Sequence, residues 1–113
     1  MDVGIIGLGV VGGSVAKALK SADPNIRLVG IEKIDEIRGE ACTSGLFNEI
    51  HHTIVEQLNS VDVIFVCVPA EIVERVFKRL EEMLESPKII SDVTGIKTPM
   101  LELAATYLSK HLY

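Results

Sequence analysis

The sequence predicts a doubly wound α/β domain on a mostly parallel five-stranded sheet, with strands in the order 3-2-1-4-5. Three observations predict it. Strand-like apolar runs alternate with helical patterns through short connections, as right-handed crossovers require. The run Val61 to Val68 is apolar without alternation, β-branched and stopped by Pro69, which suits a strand covered on both faces. A glycine-rich turn follows the first strand directly and opens a helix.

Taken in order, Val3 to Ile6 is the first strand, and the helix after it runs from Val11 to Leu19. Gly12, Gly13 and Ala16 are small where that helix presses on the sheet. Asp23-Pro24-Asn25 makes a turn into a second strand, Ile26 to Ile31. Asp35 is the expected N-cap of a helix ending at Gly45, where glycine suits a left-handed position. A short strand near Glu49-Ile50 and a brief helix precede the Val61 to Val68 run. Ile72, Val76, Leu80 and Leu84 then recur every four residues, with Val73, Phe77 and Met83 widening the stripe of an amphipathic helix. Glu71 with Arg75, and Glu74 with Lys78, are expected i,i+4 pairs on its outer face. Ser86-Pro87 turns into a strand from Lys88 to Asp92, and a last helix starts at Thr98-Pro99 and runs to about Lys110. A sixth strand would begin near Leu112-Tyr113, where the chain stops.

Composition bounds the function. A chain of 113 residues has room for one domain with a real core. With 48% apolar and 24% charged residues it is an ordinary globular chain, and a net charge of -5 argues against nucleic acid as a partner. No apolar run approaches the roughly 20 residues that span a membrane, and no signal peptide is visible. Cys42 and Cys67 read as small apolar fillers kept reduced, which points to the cytoplasm. His51 and His52 carry no metal-ligand spacing and read as surface residues, and His111 is assigned no catalytic role. No metal is expected.

The chemistry lies in Gly7-Leu8-Gly9-Val10-Val11-Gly12. In a Rossmann-type turn the first glycine permits the tight bend, the second lets a pyrophosphate approach the backbone, and the third lets helix and strand pack closely. The helix N-terminus then favours the phosphate charge. Glu32 closes the second strand about 20 residues after Gly12. An acid there accepts hydrogen bonds from ribose hydroxyls and repels a 2′-phosphate, so NAD is favoured over NADP. Lys33 is the competing feature, since a cation there accommodates a phosphate; the other reading of Glu32 is a solvated strand-end acid. Val68-Pro69 after the fourth strand and Val93-Thr94 after the fifth lie where a bound dinucleotide would run. Asp92, Gly95 and Lys97 lie on the substrate side; Lys97 opposes the dipole of the following helix and so answers Asp92 or an anionic ligand, or is simply exposed.

The segment from Gly7 to Leu19, with its GLG, two aliphatics and then Gly12-Gly13-Ser14, resembles the opening of prephenate and arogenate dehydrogenases. The likeness continues through Gly45-Leu46-Phe47-Asn48-Glu49, Val66-Cys67-Val68-Pro69 and Asp92 to Lys97, in order along essentially the whole chain. It implies an NAD-dependent oxidoreductase of tyrosine biosynthesis, in which hydride transfer and decarboxylation make a ring aromatic. In that family a histidine of a His-Pro motif past the sixth strand handles the hydroxyl proton, and a helical domain forms a homodimer. No His-Pro occurs here. Gly95 replaces the serine that is frequent in the family's Asp-x-x-Ser-x-Lys segment, whereas Asp92 and Lys97 match. Residues 1–113 are therefore expected to be a dinucleotide-binding fragment of a two-domain enzyme, without its sixth strand and helical domain, that binds cofactor without turnover. The alternatives are the nucleotide domain of another β-hydroxyacid or imine-type dehydrogenase, and a stand-alone NAD-binding regulatory module.

Overall fold

The computed structural model describes residues 1–93, 102 and 104–113. Among these, one parallel sheet holds β1 (Asp2–Ile6), β2 (Arg27–Ile31), β3 (Glu49–His51), β4 (Val63–Val66) and β5 (Ile89–Asp92), in the order β3-β2-β1-β4-β5. This is the predicted order. The helices are α1 (Val10–Ala22), α2 (Asp35–Ser44) and α3 (Ala70–Met83), with a 3₁₀ turn at Glu56–Ser60. No helix of the described residues is long and apolar enough to cross a membrane.

Two apolar clusters sandwich the sheet. Val3, Ile5 and Leu28 pack with Ala16 of α1 and Ala41 of α2 on one face. Ile6, Ile31, Ile64, Val66 and Ile90 pack on the other with Val73, Val76, Phe77 and Leu80 of α3, joined by Leu58, Ala104 and Leu108. Alternate side chains of β1 thus feed opposite cores, as the period of two in a strand dictates. The apolar stripe predicted on α3 is the buried one, and its continuation Leu84 is buried at the C-cap.

Several boundaries move for identifiable reasons. The fourth strand is Val63–Val66 rather than Val61 to Val68, because Val61 caps the 3₁₀ turn and Pro69 is already the N-cap of α3. Asp35, expected as an N-cap, is the first helical residue; Ile34 occupies the cap position, its N–H held by Glu32 Oε2 at 2.9 Å. Gly45 ends α2 at φ 71°, the left-handed geometry expected there. The Asp23 turn closes through Asp23 Oδ1, which accepts from Asn25 N–H at 3.0 Å, so β2 starts at Arg27. Neither expected i,i+4 pair of α3 is among the ion pairs of the described residues. Arg79 meets Glu82 instead, and Glu74 accepts from the Tyr107 hydroxyl at 3.2 Å. Thr98-Pro99, the expected start of the last helix, lies outside the described residues; residues 104–107 are helical, and the helix stops short of Lys110.

Beyond that helix, Leu112 bridges Ile89 in parallel, donating to Lys88 O at 2.9 Å and accepting from Ile90 N–H at 2.7 Å. The place where a sixth strand was expected to begin is thus a sixth position in the sheet. His111, assigned no catalytic role, supports it structurally: its Nδ1 accepts from Lys88 N–H at 2.8 Å. Burial, then Lys110 and Lys88, lower its pKa from 6.5. The unfolded chain therefore binds this proton at higher pH than the folded one, and the contribution is complete above about 6.5 and lost as pH falls through the folded value. Urea unfolding across this range is expected to show a decline in stability below pH 6.5 that His111→Gln abolishes.

Candidate functional site

The register aligns the carboxyl ends of all five strands. Ile6 pairs with Ile31 on one side and Val66 on the other, Ile31 pairs with His51, and Val66 pairs with Asp92. The loops that follow this row open along one edge of the sheet, the edge where parallel α/β sheets bind ligands.

The glycine turn occupies the centre of that edge. Gly7 adopts φ 92°, and a Cβ there would lie 2.5 Å from Cys67 O. At Gly12 a Cβ would meet Gly7 O at 1.8 Å, so the amino end of α1 packs directly on the turn. Gly9 is different: a Cβ there would have no protein atom within 4 Å, leaving its space open to a ligand. Gly9 caps α1 in an extended conformation, and the first bonded amide of the helix is Gly13 N–H, to Gly9 O at 2.8 Å. The amides of Val10, Val11 and Gly12 precede any intrahelical acceptor. Val10 and Val11 are 88% and 50% exposed at this edge, an arrangement that fits an anionic group resting on a helix end and apolar surface beside it. Leu8 contributes only through its backbone, since its side chain is buried with Val3, Ile5 and Ala16.

Glu32 is not a solvated strand-end acid. It is 7% exposed, and its Oε1 accepts from Leu8 N–H at 2.8 Å while Oε2 accepts from Ile34 N–H. The carboxylate therefore ties the glycine turn to the loop after β2. An ionised carboxylate offers about four acceptor positions, so about two remain for a ligand's hydroxyls. Lys33 is exposed beside it. Arg38, which sequence reasoning passed over, reaches back from α2: its Nη1 donates to Glu32 O at 3.0 Å and Lys33 O at 3.4 Å, and its Nη2 meets Asp35 Oδ1 at 2.6 Å. Asp35 and Arg38 at i,i+3 are the signal that was available for it.

On the other side, Val68 is half-buried against the α3 core, and Pro69 is exposed with its carbonyl accepting from Ile72 N–H at 2.9 Å. Cys67 lies beneath the glycines, and burial pushes its thiol up to about 11. Cys42, expected as a filler, is exposed at the end of α2; neither cysteine is in a disulfide. Asp92 is 5% exposed and accepts a hydrogen bond from the Tyr113 hydroxyl, whose ring stands edge-on to Phe77 at 5.7 Å. Val93 is exposed, with its N–H on Val66 O at 3.2 Å. Thr94, Gly95 and Lys97 lie outside the described residues. His52 is exposed, while His51 is half-buried with Nε2 3.2 Å from Glu49 Oε1. Among the described residues no group of His, Cys, Asp and Glu is placed to hold a metal ion.

Comparison with known proteins adds a family. Residues 15–113 match the family described as prephenate dehydrogenase, nucleotide-binding domain. The chain belongs to that family. A cyclohexadienyl dehydrogenase of Zymomonas mobilis is 26% identical over 110 residues, which is 97% of this chain and 38% of that protein. An arogenate dehydrogenase of Synechocystis superposes with a TM-score of 0.84 at 27% identity, over 96% of this chain and 38% of the other. A prephenate dehydrogenase of A. aeolicus, solved with hydroxyphenyl propionate and NAD+, gives a TM-score of 0.84 at 22% identity, over 98% and 40%, and shares the fold. The chain thus spans about two fifths of the length of these relatives.

Proposed function

We propose that this chain binds NAD across the carboxyl edge of its sheet and is the nucleotide-binding part of a prephenate or arogenate dehydrogenase. The observation that carries the reading is the coupling of an open glycine turn to a buried acid: Gly9 leaves room for a pyrophosphate, and Glu32 is fixed on Leu8 N–H with acceptor capacity left for ribose hydroxyls. Family membership and the NAD+ in the A. aeolicus relative support it.

In this reading the pyrophosphate rests on the amides at Gly9, Val10 and Val11 and the adenosine ribose on Glu32, with Lys33 beside it. Gly7 and Gly12 shape the turn, Leu8 contributes its backbone, and Val68, Pro69, Val93 and Thr94 flank the remainder. Nicotinamide supplies a hydride acceptor when bound. Asp92, Gly95 and Lys97 belong to the substrate side; Asp92 accepts a hydrogen bond from the Tyr113 hydroxyl. In this reading the nucleotide-binding part holds the cofactor, while the proton-handling histidine and the surfaces of a homodimer belong to a second domain of the enzyme. The reaction is an oxidative decarboxylation in tyrosine biosynthesis, and the cytoplasm, where Cys42 and Cys67 stay reduced, is its place.

Calorimetric titration with NAD and NADP tests the reading. NAD is expected to bind more tightly than NADP. Gly9→Ala is expected to weaken NAD about tenfold, the equivalent of 1.4 kcal/mol, with an unchanged unfolding temperature because the added methyl meets no protein atom within 4 Å. Failure of the unsubstituted chain to bind either dinucleotide at millimolar concentration, or wild-type affinity in Gly9→Ala, would overturn it.

A further inference from the structure

Five charged side chains lie between residues 32 and 38: Glu32, Lys33, Asp35, Glu36 and Arg38. The expected effect of Glu32 on cofactor choice is repulsion of a 2′-phosphate. Arg38 ought to act against it, because a guanidinium near the adenosine ribose is a phosphate ligand. The guanidinium is close: Nη1 sits on the carbonyl of Glu32 itself. It is also already occupied. Nη1 is shared between the carbonyls of Glu32 and Lys33, and Nη2 is taken by the Asp35 carboxylate. The Arg38 side chain is 27% exposed, and the Asp35 carboxylate, on a side chain 88% exposed, meets its Nη2 at 2.6 Å.

We propose that Asp35 is a second determinant of NAD over NADP: its carboxylate occupies the edge of Arg38 that a 2′-phosphate would otherwise take. The inference rests on the assignment of the adenosine ribose to Glu32. A carboxylate and a phosphate use the same N–H fork of arginine, and here the carboxylate is supplied from within the chain. The two carbonyls keep Nη1 in place, so loss of Asp35 leaves Arg38 positioned rather than free. Its Nη2 donors become available beside the ribose, and a negative charge leaves the same surface. Glu36, also in the first turn of α2, remains and limits the gain.

The test is the ratio of NADP to NAD dissociation constants, measured by calorimetry at low and moderate salt for the unsubstituted chain, Asp35→Asn, Arg38→Met and the double variant. Asp35→Asn is expected to shift the ratio toward NADP by about three- to tenfold, the size of one exposed charge-assisted contact, and less at the higher salt. In the Arg38→Met background the same substitution is expected to move the ratio by less than twofold. An unmoved ratio in Asp35→Asn overturns the inference, as does an equal shift with and without Arg38, which would reduce Asp35 to one negative charge among several. These results leave the NAD assignment standing as long as the unsubstituted chain binds NAD. If it binds neither dinucleotide, the assignment falls and takes the inference with it. Thermal unfolding of each variant separates altered selectivity from altered folding.

Discussion

Gly12→Ala is expected to destabilise the chain by more than about 3 kcal/mol, whereas Gly13→Ala, one residue away, is expected to stabilise it by about 0.5–1 kcal/mol. The contrast follows from what a methyl group meets. At residue 12 the new carbon would stand 1.8 Å from the carbonyl oxygen of Gly7 and 2.9 Å from its carbon, and no rotamer change relieves a clash with backbone. Either α1 lifts from the sheet or Gly7 leaves its φ of 92°, where Cys67 O leaves little room. At residue 13 the nearest atom is Leu8 O at 3.9 Å, so the helix gains a better helix former without a collision. Urea unfolding of the two variants checks both signs. Equal stability in the two would mean that α1 does not pack on the turn as described.

Glu32→Ala is expected to cost about 2–4 kcal/mol, because two backbone amides, those of Leu8 and Ile34, lose their acceptor, and the Leu8 bond is buried. Binding falls with it, since the glycine turn and the loop after β2 are no longer joined. Glu32→Gln separates the two roles. Its carboxamide has one oxygen to offer, so one amide keeps a partner and the stability loss is expected to be about half. Its neutral charge removes the repulsion of a 2′-phosphate, so the preference for NAD is expected to shrink even where the fold survives. Chemical denaturation, with titrations of both dinucleotides, reads these effects independently. A Glu32→Ala chain as stable as its parent would show that the two hydrogen bonds contribute nothing net.

What the sequence disclosed and what it hid divide along the range of the interactions. The α3 stripe, the Gly45 cap and the turn at Asp23 depend on neighbours within a few residues, and each was legible. The glycine turn was legible too, because only glycine suits Gly7 and Gly12 and their spacing carries the reason. By contrast, the hydrogen bond from Leu8 to Glu32 spans 24 residues, and the one from Lys88 to His111 spans 23. Both are set by which strand ends lie side by side, so the sequence disclosed neither the tie of Glu32 to the glycine turn nor that of His111 to Lys88. Leu8 lies between two glycines of the motif and turns inward, away from the edge. The N-cap of α2 moved from Asp35 to Ile34 because the carboxylate of Glu32, just past the end of β2, holds the Ile34 amide.

The order β3-β2-β1-β4-β5 also has a consequence for a chain emerging from the ribosome. The buried members of the cluster beneath α1 and α2 run from Val3 to Ala41, so that face of the sheet can close while the carboxyl half is still being made. Strand β1 then waits with one flank bare until Val63 to Val66 arrive, and the opposite face stays uncovered until α3 follows. For that interval the nascent chain is a one-sided sheet with an open central strand, the form in which strand edges invite wrong partners. Aggregation during synthesis should therefore respond to translation speed between residues 51 and 83, the stretch over which the central strand gains its second neighbour and its second cover.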